Sequence, residues 1–406
     1  MMINTSIIGC SNYIYPSGYG YQVRIVSDVA NIDNDLAASF DWALKEIRNI
    51  QSAARRGEPI LKPRWPVIIL RTPKGLSGPK SVHGEILEGS FRSHQVPLPL
   101  AKTSAEELDM LVHWLKSYKP NELFNGDGTP VDDIIKLIPE RNDKKLGQRH
   151  EAYKAYTPLG VPDWRSIAVE RGTQESCMKR VGEYIRDVIV KCALFWSFVK
   201  VINFFSRNSK SFRIFSPDEL VSNKLDAVFQ VTGRDFQWDP DSRANGGRIV
   251  EILSEHTCQG MLQGYTLTGR TGLFPSYEAF LGIVATMMVQ YSKFMKVGLE
   301  TPWRGPCGSI NYIETSTWAR QEHNGFSHQN PSFIGSVLNL KPKLARVYLP
   351  PDANCFLSTI AHCLRSKNYI NLMVGSKHPS PVWLSPEEAD MVSLYALTAM
   401  YRECIN

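Results

Sequence analysis

Apolar positions along this chain recur in two ways. Over residues 35–50, Leu36, Phe40, Ala43, Ile47 and Ile50 return at helical spacing, which predicts an amphipathic helix. Short continuous apolar runs separate such stretches. Pro66-Val-Ile-Ile-Leu-Arg71 is the first, and its length and composition predict a strand of a parallel sheet, buried on both faces. Phe212-Arg-Ile-Phe215, Arg248-Ile-Val-Glu-Ile-Leu253, Ala345-Arg-Val-Tyr-Leu349 and Asn371-Leu-Met-Val374 read the same way. Further helices are predicted over 104–118, over 178–191 and over the Met-rich stretch 276–296. Ser104 is the N-cap of the first of these, with Glu107 completing a capping box. Strands alternating with helices argue for an α/β protein built on parallel sheets. The polar, breaker-rich segment 140–178, with Thr157-Pro-Leu-Gly-Val-Pro162 inside it, reads as the link between two α/β units. A length of 406 residues suits two domains.

Composition changes this picture little. Hydrophobic residues make up 43% and charged residues 21%, the balance of a globular protein, with no repeat or low-complexity tract. The formal net charge of +6 comes from scattered basic residues. It suits an anionic small substrate such as a phosphate ester, and no nucleic-acid motif accompanies it. Eight cysteines, at 10, 177, 192, 258, 307, 355, 363 and 404, form no CxxC pair. That spacing fits neither a zinc knuckle nor a disulfide framework and points to a reducing compartment. The N-terminus lacks a basic segment followed by an apolar one, so no secretory signal is read and a cytoplasmic location is expected. The longest apolar run, 188–205, contains Lys191 and Lys200, which are costly in a bilayer, so a membrane span there is the lesser reading.

The densest chemistry lies in Trp318-Ala-Arg-Gln-Glu-His-Asn-Gly-Phe-Ser-His-Gln329. Gln321, Glu322, His323, Asn324, Ser327, His328 and Gln329 fall within nine residues, and Phe326 is the one apolar side chain among them. No helix or strand period buries such a segment, which reads as a loop turning at Asn324-Gly325. Two imidazoles can trade protons near neutral pH, while amides and hydroxyls hold polar ligands. Elsewhere the candidates sit at element ends. Lys74 lies in the loop after the 66–71 strand, where open α/β sheets place ligands. Glu255 stands between a strand and a helix, where it could face a pocket or complement a helix dipole. Ser222-Asn-Lys224 could hold a phosphate or simply turn the chain, and Tyr277 could stack on a flat ligand or pack. His94 and Gln95 are adjacent in a polar insertion. Asn125-Gly-Asp-Gly128 reads as a surface turn, because no further carboxylates follow at EF-hand spacing. His323 and His328 lack two more ligands nearby for zinc, and neither a Walker nor a GxGxxG fingerprint occurs.

Eight segments in order resemble the thiamine-diphosphate-dependent phosphoketolases, with a fungal flavour. They are Gly18-Tyr-Gly-Tyr-Gln22, Ile69-Leu-Arg-Thr-Pro-Lys-Gly75, Gly89-Ser-Phe-Arg-Ser-His-Gln-Val-Pro97, Ser216-Pro-Asp-Glu219 with Ser222-Asn-Lys-Leu225, Ser254-Glu-His-Thr-Cys-Gln-Gly260, Thr266-Leu-Thr-Gly-Arg270, Arg320-Gln-Glu-His-Asn-Gly-Phe-Ser-His-Gln329 and Val347-Tyr-Leu-Pro-Pro-Asp-Ala-Asn354. The resemblance runs from about residue 18 to 390. It implies a transketolase-like fold of two doubly wound parallel-sheet domains, the first incomplete. Residues 1–165 would be the later part of a diphosphate-binding domain. Residues 175–385 would be a pyrimidine-binding domain with an apolar insertion at about 192–208. Residues 391–406 would be an unrelated tail in place of a C-terminal domain.

The implied reaction cleaves xylulose 5-phosphate or fructose 6-phosphate with inorganic phosphate, giving acetyl phosphate and an aldose phosphate, in a homodimer. By the same resemblance Glu255 contacts the cofactor pyrimidine and Tyr277 lines the cofactor pocket. His94 and Gln95 form a substrate-side pair, with His94 also reaching the cofactor. His328 transfers protons. Gln321, His323, Asn324 and Ser222 contact substrate or phosphate, and Lys74 is a phosphate-side cation. The departures are a missing GDG…N motif for Mg2+ and diphosphate, the apolar insertion, the tail, and Leu76 where Trp is expected. A chain without that motif is expected to hold thiamine diphosphate weakly by itself. A second reading is therefore an inactive fragment that binds or dimerises with a complete copy. A third, from the residue pattern alone, is an α/β sugar-phosphate enzyme of another type.

Overall fold

The structure is a computed structural model that describes residues 16–94, 96–145, 148, 153–154, 156–198, 211–235, 247–315, 328 and 330–393. The chain divides into two compact units, 1–140 and 141–406.

In the first unit, β1 (Gln22–Val26) pairs in parallel with β2 (Pro66–Leu70), Gln22 opposite Pro66 and Val26 opposite Leu70. The crossover is α1 (Ile32–Arg55), which packs on both strands. Asp33 and Asp35 in its first turn and Arg55 in its last complement the helix dipole. Ala43 and Ile50 are buried as their spacing predicts, but Phe40 is 55% exposed. The expectation that 66–71 is buried on both faces is not met: β2 is half-buried, and Leu70 is 50% exposed. Among the described residues this sheet has two strands, and α1 packs on both.

Helix α2 (Ala105–Ser117) starts on its predicted cap, Ser104 Oγ accepting from Glu107 N. The reciprocal half of the box does not form. Ser104 N donates to Leu100 O instead, and the buried Glu107 carboxylate accepts from Leu100 N at 2.6 Å and faces His83 Nε2 at 3.0 Å. Glu107 therefore ties a loop to the helix.

The second unit carries a six-stranded sheet. Its strands are β3 (Phe212–Ser216), β4 (Ile249–Glu251), β5 (Thr271–Ser276), β6 (Ile310–Glu314), β7 (Ala345–Tyr348) and β8 (Ile370–Val374). They lie in the order β7-β8-β6-β5-β3-β4, every neighbouring pair parallel. Helices α3 (Cys177–Phe198) and α8 (Ala353–Arg365) cover one face, and α4 (Glu255–Leu267), α6 (Ala285–Glu300) and α7 (Ser332–Leu338) the other. The strands feed both cores alternately. Ile214, Leu273, Ile313 and Met373 join the first, and Phe215, Phe274, Tyr312 and Leu372 the second.

The two central strands, β5 and β6, are not legible as apolar runs, because Gly272, Pro275, Asn311 and Glu314 interrupt them. Their neighbours make these residues tolerable; Asn311 Nδ2, for instance, donates to Gly272 O at 3.0 Å. The predicted 276–296 helix is broken into α5 (Glu278–Leu281), a 3-10 turn at Gly282–Val284, and α6. Of the expected apolar insertion, 192–198 continue α3, and 199–208 lie outside the described residues, as does most of the 391–406 tail. Among the described residues no helix is long and apolar enough to cross a membrane. Cys177, Cys258, Cys307, Cys355 and Cys363 are buried free thiols.

Candidate active site

Strand β4 lies on one side of β3, and β5, next in the chain, lies on the other. This reversal opens a crevice beyond the carboxyl ends of β3 and β5, where doubly wound sheets bind ligands. Four loops converge there.

The first, after β3, carries Asp218 and Ser222. Ser216 Oγ donates to Asp218 O at 2.6 Å, and Ser276 Oγ donates to Asp218 Oδ2 at 3.0 Å. Burial raises the Asp218 carboxyl above the usual carboxylate range. Hydrogen bonds from Ser276 and the Tyr277 N–H oppose the rise, the Glu255 charge adds to it, and the Lys377 charge lowers it. Asn223, fully buried, accepts from Thr315 Oγ1 at 2.5 Å and so joins this loop to the end of β6.

The second, after β4, carries Glu255 as the first residue of α4. Ser254 is the N-cap, its Oγ accepting from Thr257 N at 3.4 Å. Behind it Cys258, buried, donates to Ile252 O, and burial pushes its thiol up to about 12. A thiol so inert packs and does not react.

The third, after β5, carries Tyr277, in extended conformation before α5. Its hydroxyl hydrogen-bonds the Ser222 side chain, and burial raises its titration. The His328 ring meets Tyr277 edge-on at 5.3 Å between centroids and Phe280 at 5.0 Å.

The fourth, after β8, carries Lys377. Its ammonium lies 3.2 Å from the Tyr277 ring centroid, and the residue is only 4% exposed. Two residues earlier, Gly375 has no room for a side chain. A Cβ there would stand 2.5 Å from Phe356 Cε2 and 3.1 Å from Met178 Sδ, while its N–H donates to Glu314 O at 2.9 Å.

Of the residues predicted from sequence, this crevice therefore gathers Ser222, Glu255, Tyr277 and His328. Gln95, Gln321, His323 and Asn324 lie outside the described residues. Lys74 and His94 belong to the other unit, where Lys74 Nζ donates to His94 Nδ1 at 2.7 Å. An ammonium only donates, so Nδ1 is the acceptor and Nε2 carries the ring proton. Gly75 brings them together: its φ of +82° and the Ser93 Cβ, 2.7 Å from where its own Cβ would be, admit no other residue without strain. The pair lines a cleft of about 530 Å³ with Phe91, Arg92 and Pro97. Asn125-Gly-Asp-Gly128 is a turn, with Asp127 Oδ1 accepting from Thr129 N and Oγ1.

Residue-pattern reasoning did not single out Asp218, Glu278, Glu314 or Lys377, whereas Asn223 belongs to the Ser222-Asn-Lys224 segment that it marked. Asp218 lies inside a quoted motif. Lys377 follows a strand and a glycine, and that was the signal available for it. Among the described residues no group of three or more His, Cys, Asp or Glu side chains is arranged to hold a metal ion.

The sheet order and its switch-point crevice define an α/β fold of the transketolase kind. Solved transketolases share it: one from Pichia stipitis at TM-score 0.53 and 15% identity, covering 92% of this chain and 49% of that one, and one from Leishmania mexicana at 0.51 and 13%, covering 95% and 50%. Residues 197–366 match the D-xylulose 5-phosphate/D-fructose 6-phosphate phosphoketolase family and residues 11–157 match that family's N-terminal domain. A probable phosphoketolase of Schizosaccharomyces pombe is 52% identical over 374 residues, and one of Nocardia farcinica is 42% identical over 384. The chain belongs to the phosphoketolase family. Each alignment takes in 92% of the chain but 43% and 45% of those relatives, so the chain spans less than half their length.

Proposed function

We propose that the chain contributes the pyrimidine side of a thiamine-diphosphate site in a carbon–carbon lyase that cleaves ketose phosphates with inorganic phosphate. The observation that carries this reading is the buried Lys377 ammonium over the Tyr277 ring, within a crevice that also holds Asp218, Ser222, Glu255 and His328. A cation and an aromatic face at one strand-end crevice suit a flat cofactor beside an anionic substrate.

The residues present fit the cofactor's aminopyrimidine. Glu255, at the head of α4 and within electrostatic reach of Asp218, would orient it through a ring nitrogen, and Tyr277 would line it. Bound there, thiamine diphosphate supplies the electron sink for breaking the bond next to a ketose carbonyl. His328, which meets Tyr277 and Phe280 edge-on, would hand protons to the substrate, and Lys377 would balance phosphate charge. Acetyl phosphate with glyceraldehyde 3-phosphate, or with erythrose 4-phosphate, would be the products, in a homodimer in the cytoplasm. His94 with Gln95, and Gln321, His323 and Asn324, remain proposed substrate contacts, and Lys74 a proposed phosphate-side cation.

The test is calorimetric titration of the purified chain with thiamine diphosphate and Mg2+, then a hydroxamate assay for acetyl phosphate with each ketose phosphate. Turnover that Glu255→Ala abolishes supports the proposal. A folded sample that neither binds nor turns over shifts the reading to an inactive partner of a complete copy.

A further inference from the structure

The crevice opens beyond the carboxyl ends of β3 and β5. At the amino ends of the same sheet three arginines stand side by side. Arg213 is the second residue of β3, Arg248 immediately precedes β4, and Arg270 immediately precedes β5. Ile214 pairs with Ile249 and Phe212 with Thr271, so the three fall next to one another across β4-β3-β5. Phe212 and Ile214 enter one core, which leaves Arg213 on the other face with Phe215. Arg248 and Arg270 are in step with Val250 and Phe274 on that same face. It is the face that α4 covers. Positions 261, 264, 265 and 268 recur at helical spacing and form one stripe along the later half of α4 and its end. The stripe and the arginines enclose a cleft of about 720 Å³.

The cleft joins an apolar wall to a cluster of cations. Phe215, Val250, Met261 and Tyr265 form the wall, with the Phe215 and Tyr265 rings edge to face at 5.6 Å between centroids. The Arg270 guanidinium lies 5.6 Å from the Tyr265 centroid and donates to Thr268 Oγ1. Arg248 Nη1 donates to Phe212 O at 3.4 Å, and Arg248 has further partners. Arg213 pairs with Asp235. These contacts leave room for a ligand, because a guanidinium carries five donors in a planar fork. Among the described residues that line the cleft there is no carboxylate. Gly264 keeps the space open: it is exposed, and a Cβ there would meet nothing within 4 Å. A volume of this size suits a small molecule and exceeds the needs of a lone ion.

We propose that this cleft is a second binding site, for a small organic anion with a flat apolar body. The anionic head lies against the forks of Arg213, Arg248 and Arg270, and the flat body lies against Phe215 and Tyr265. The site is built from the second unit alone and does not rest on the function proposed above.

Calorimetric titration of the whole chain with phenyl phosphate tests it. One binding event is expected. Gly264→Leu, which fills the cleft from an open helical position, should weaken that event at least tenfold without lowering the urea unfolding midpoint. Arg270→Met, which keeps an apolar stem over Tyr265 and removes the charge, should weaken it about tenfold or more. Lys377→Met, which alters the crevice at the other end of the sheet, should leave it unchanged. Phenol and inorganic phosphate, each carrying half of the proposed ligand, should bind at least tenfold more weakly than phenyl phosphate. No binding of phenyl phosphate, binding that survives both Gly264→Leu and Arg270→Met, or binding lost in Lys377→Met overturns the site. Phenol or inorganic phosphate binding as tightly as phenyl phosphate overturns the ligand class. None of these readouts requires catalysis, so a failed lyase assay leaves the proposal intact.

Discussion

Replacing Asp352 by alanine should destabilise the second unit more than its place in a loop suggests. Asp352 is fully buried and caps α8, its Oδ1 accepting from Cys355 N at 2.8 Å. Its Oδ2 accepts from Trp383 N and Leu384 N, both at 2.9 Å. One carboxylate thus ties the start of a core helix to a segment some thirty residues later. Loss of the cap costs about 1 kcal/mol. Each of the two hydrogen bonds to a charged group adds about 1.5 kcal/mol at the low end of its range, and the buried N–H groups left behind keep the total near that sum. Relief from burying a charge acts the other way. The expected loss is about 3–5 kcal/mol, a large part of a typical stability of about 5–15 kcal/mol. Urea unfolding followed by far-ultraviolet circular dichroism should show a lower midpoint at unchanged slope. Asp352→Asn, which keeps one acceptor, should lose about half as much. A loss below about 1 kcal/mol for Asp352→Ala would refute the argument that these three bonds are made in a buried setting.

Three further outcomes are expected. Glu314 should make stability fall with pH: its folded carboxyl keeps a proton up to about 8 whereas the unfolded one loses it near 4.5, so stability is full below about 4.5, declines up to about 8 and is flat above. The decline is at most about 5 kcal/mol, and Glu314→Gln should flatten it in urea midpoints measured across that range. Gly75→Ala should cost the first unit about 1–3 kcal/mol, through positive φ and overlap with Ser93. Faster hydrogen exchange at the Gly89 amide, which donates to Lys74 O, would report it. Lys377→Met keeps the packing on Tyr277 but removes the charge; it should weaken binding of a ketose phosphate about tenfold or more in calorimetric titration, with an unchanged unfolding midpoint.

The Asp352 contacts also recast one segment of the family resemblance. Pro350-Pro-Asp-Ala-Asn354 follows β7 and leads into α8. In the fold it is a clamp. Asn354 Oδ1 accepts from Val169 N at 2.8 Å, and its Nδ2 donates to Val169 O and Leu384 O at 2.8 and 2.9 Å. Every side-chain polar atom of Asp352 and Asn354 bonds backbone, which explains why these residue types stand there.

What the sequence determined by itself is local. Apolar runs placed β2, β3, β4, β7 and β8, Ser104 placed the start of α2, and strand-end polarity marked Glu255, Ser222 and Tyr277, because periodicity and capping are properties of neighbours along the chain. The tertiary structure decided what depends on partners from elsewhere. It made Gly-Leu-Phe-Pro and Ile-Asn-Tyr-Ile-Glu the central strands, since only the adjoining strands and helices accommodate their glycine, proline, amide and carboxyl. It also set Lys377 on the Tyr277 ring, a hundred residues away, and buried Glu278 beside Glu314. Long-range burial alone turns such ordinary surface residue types into a cation within a crevice and enclosed carboxyl groups.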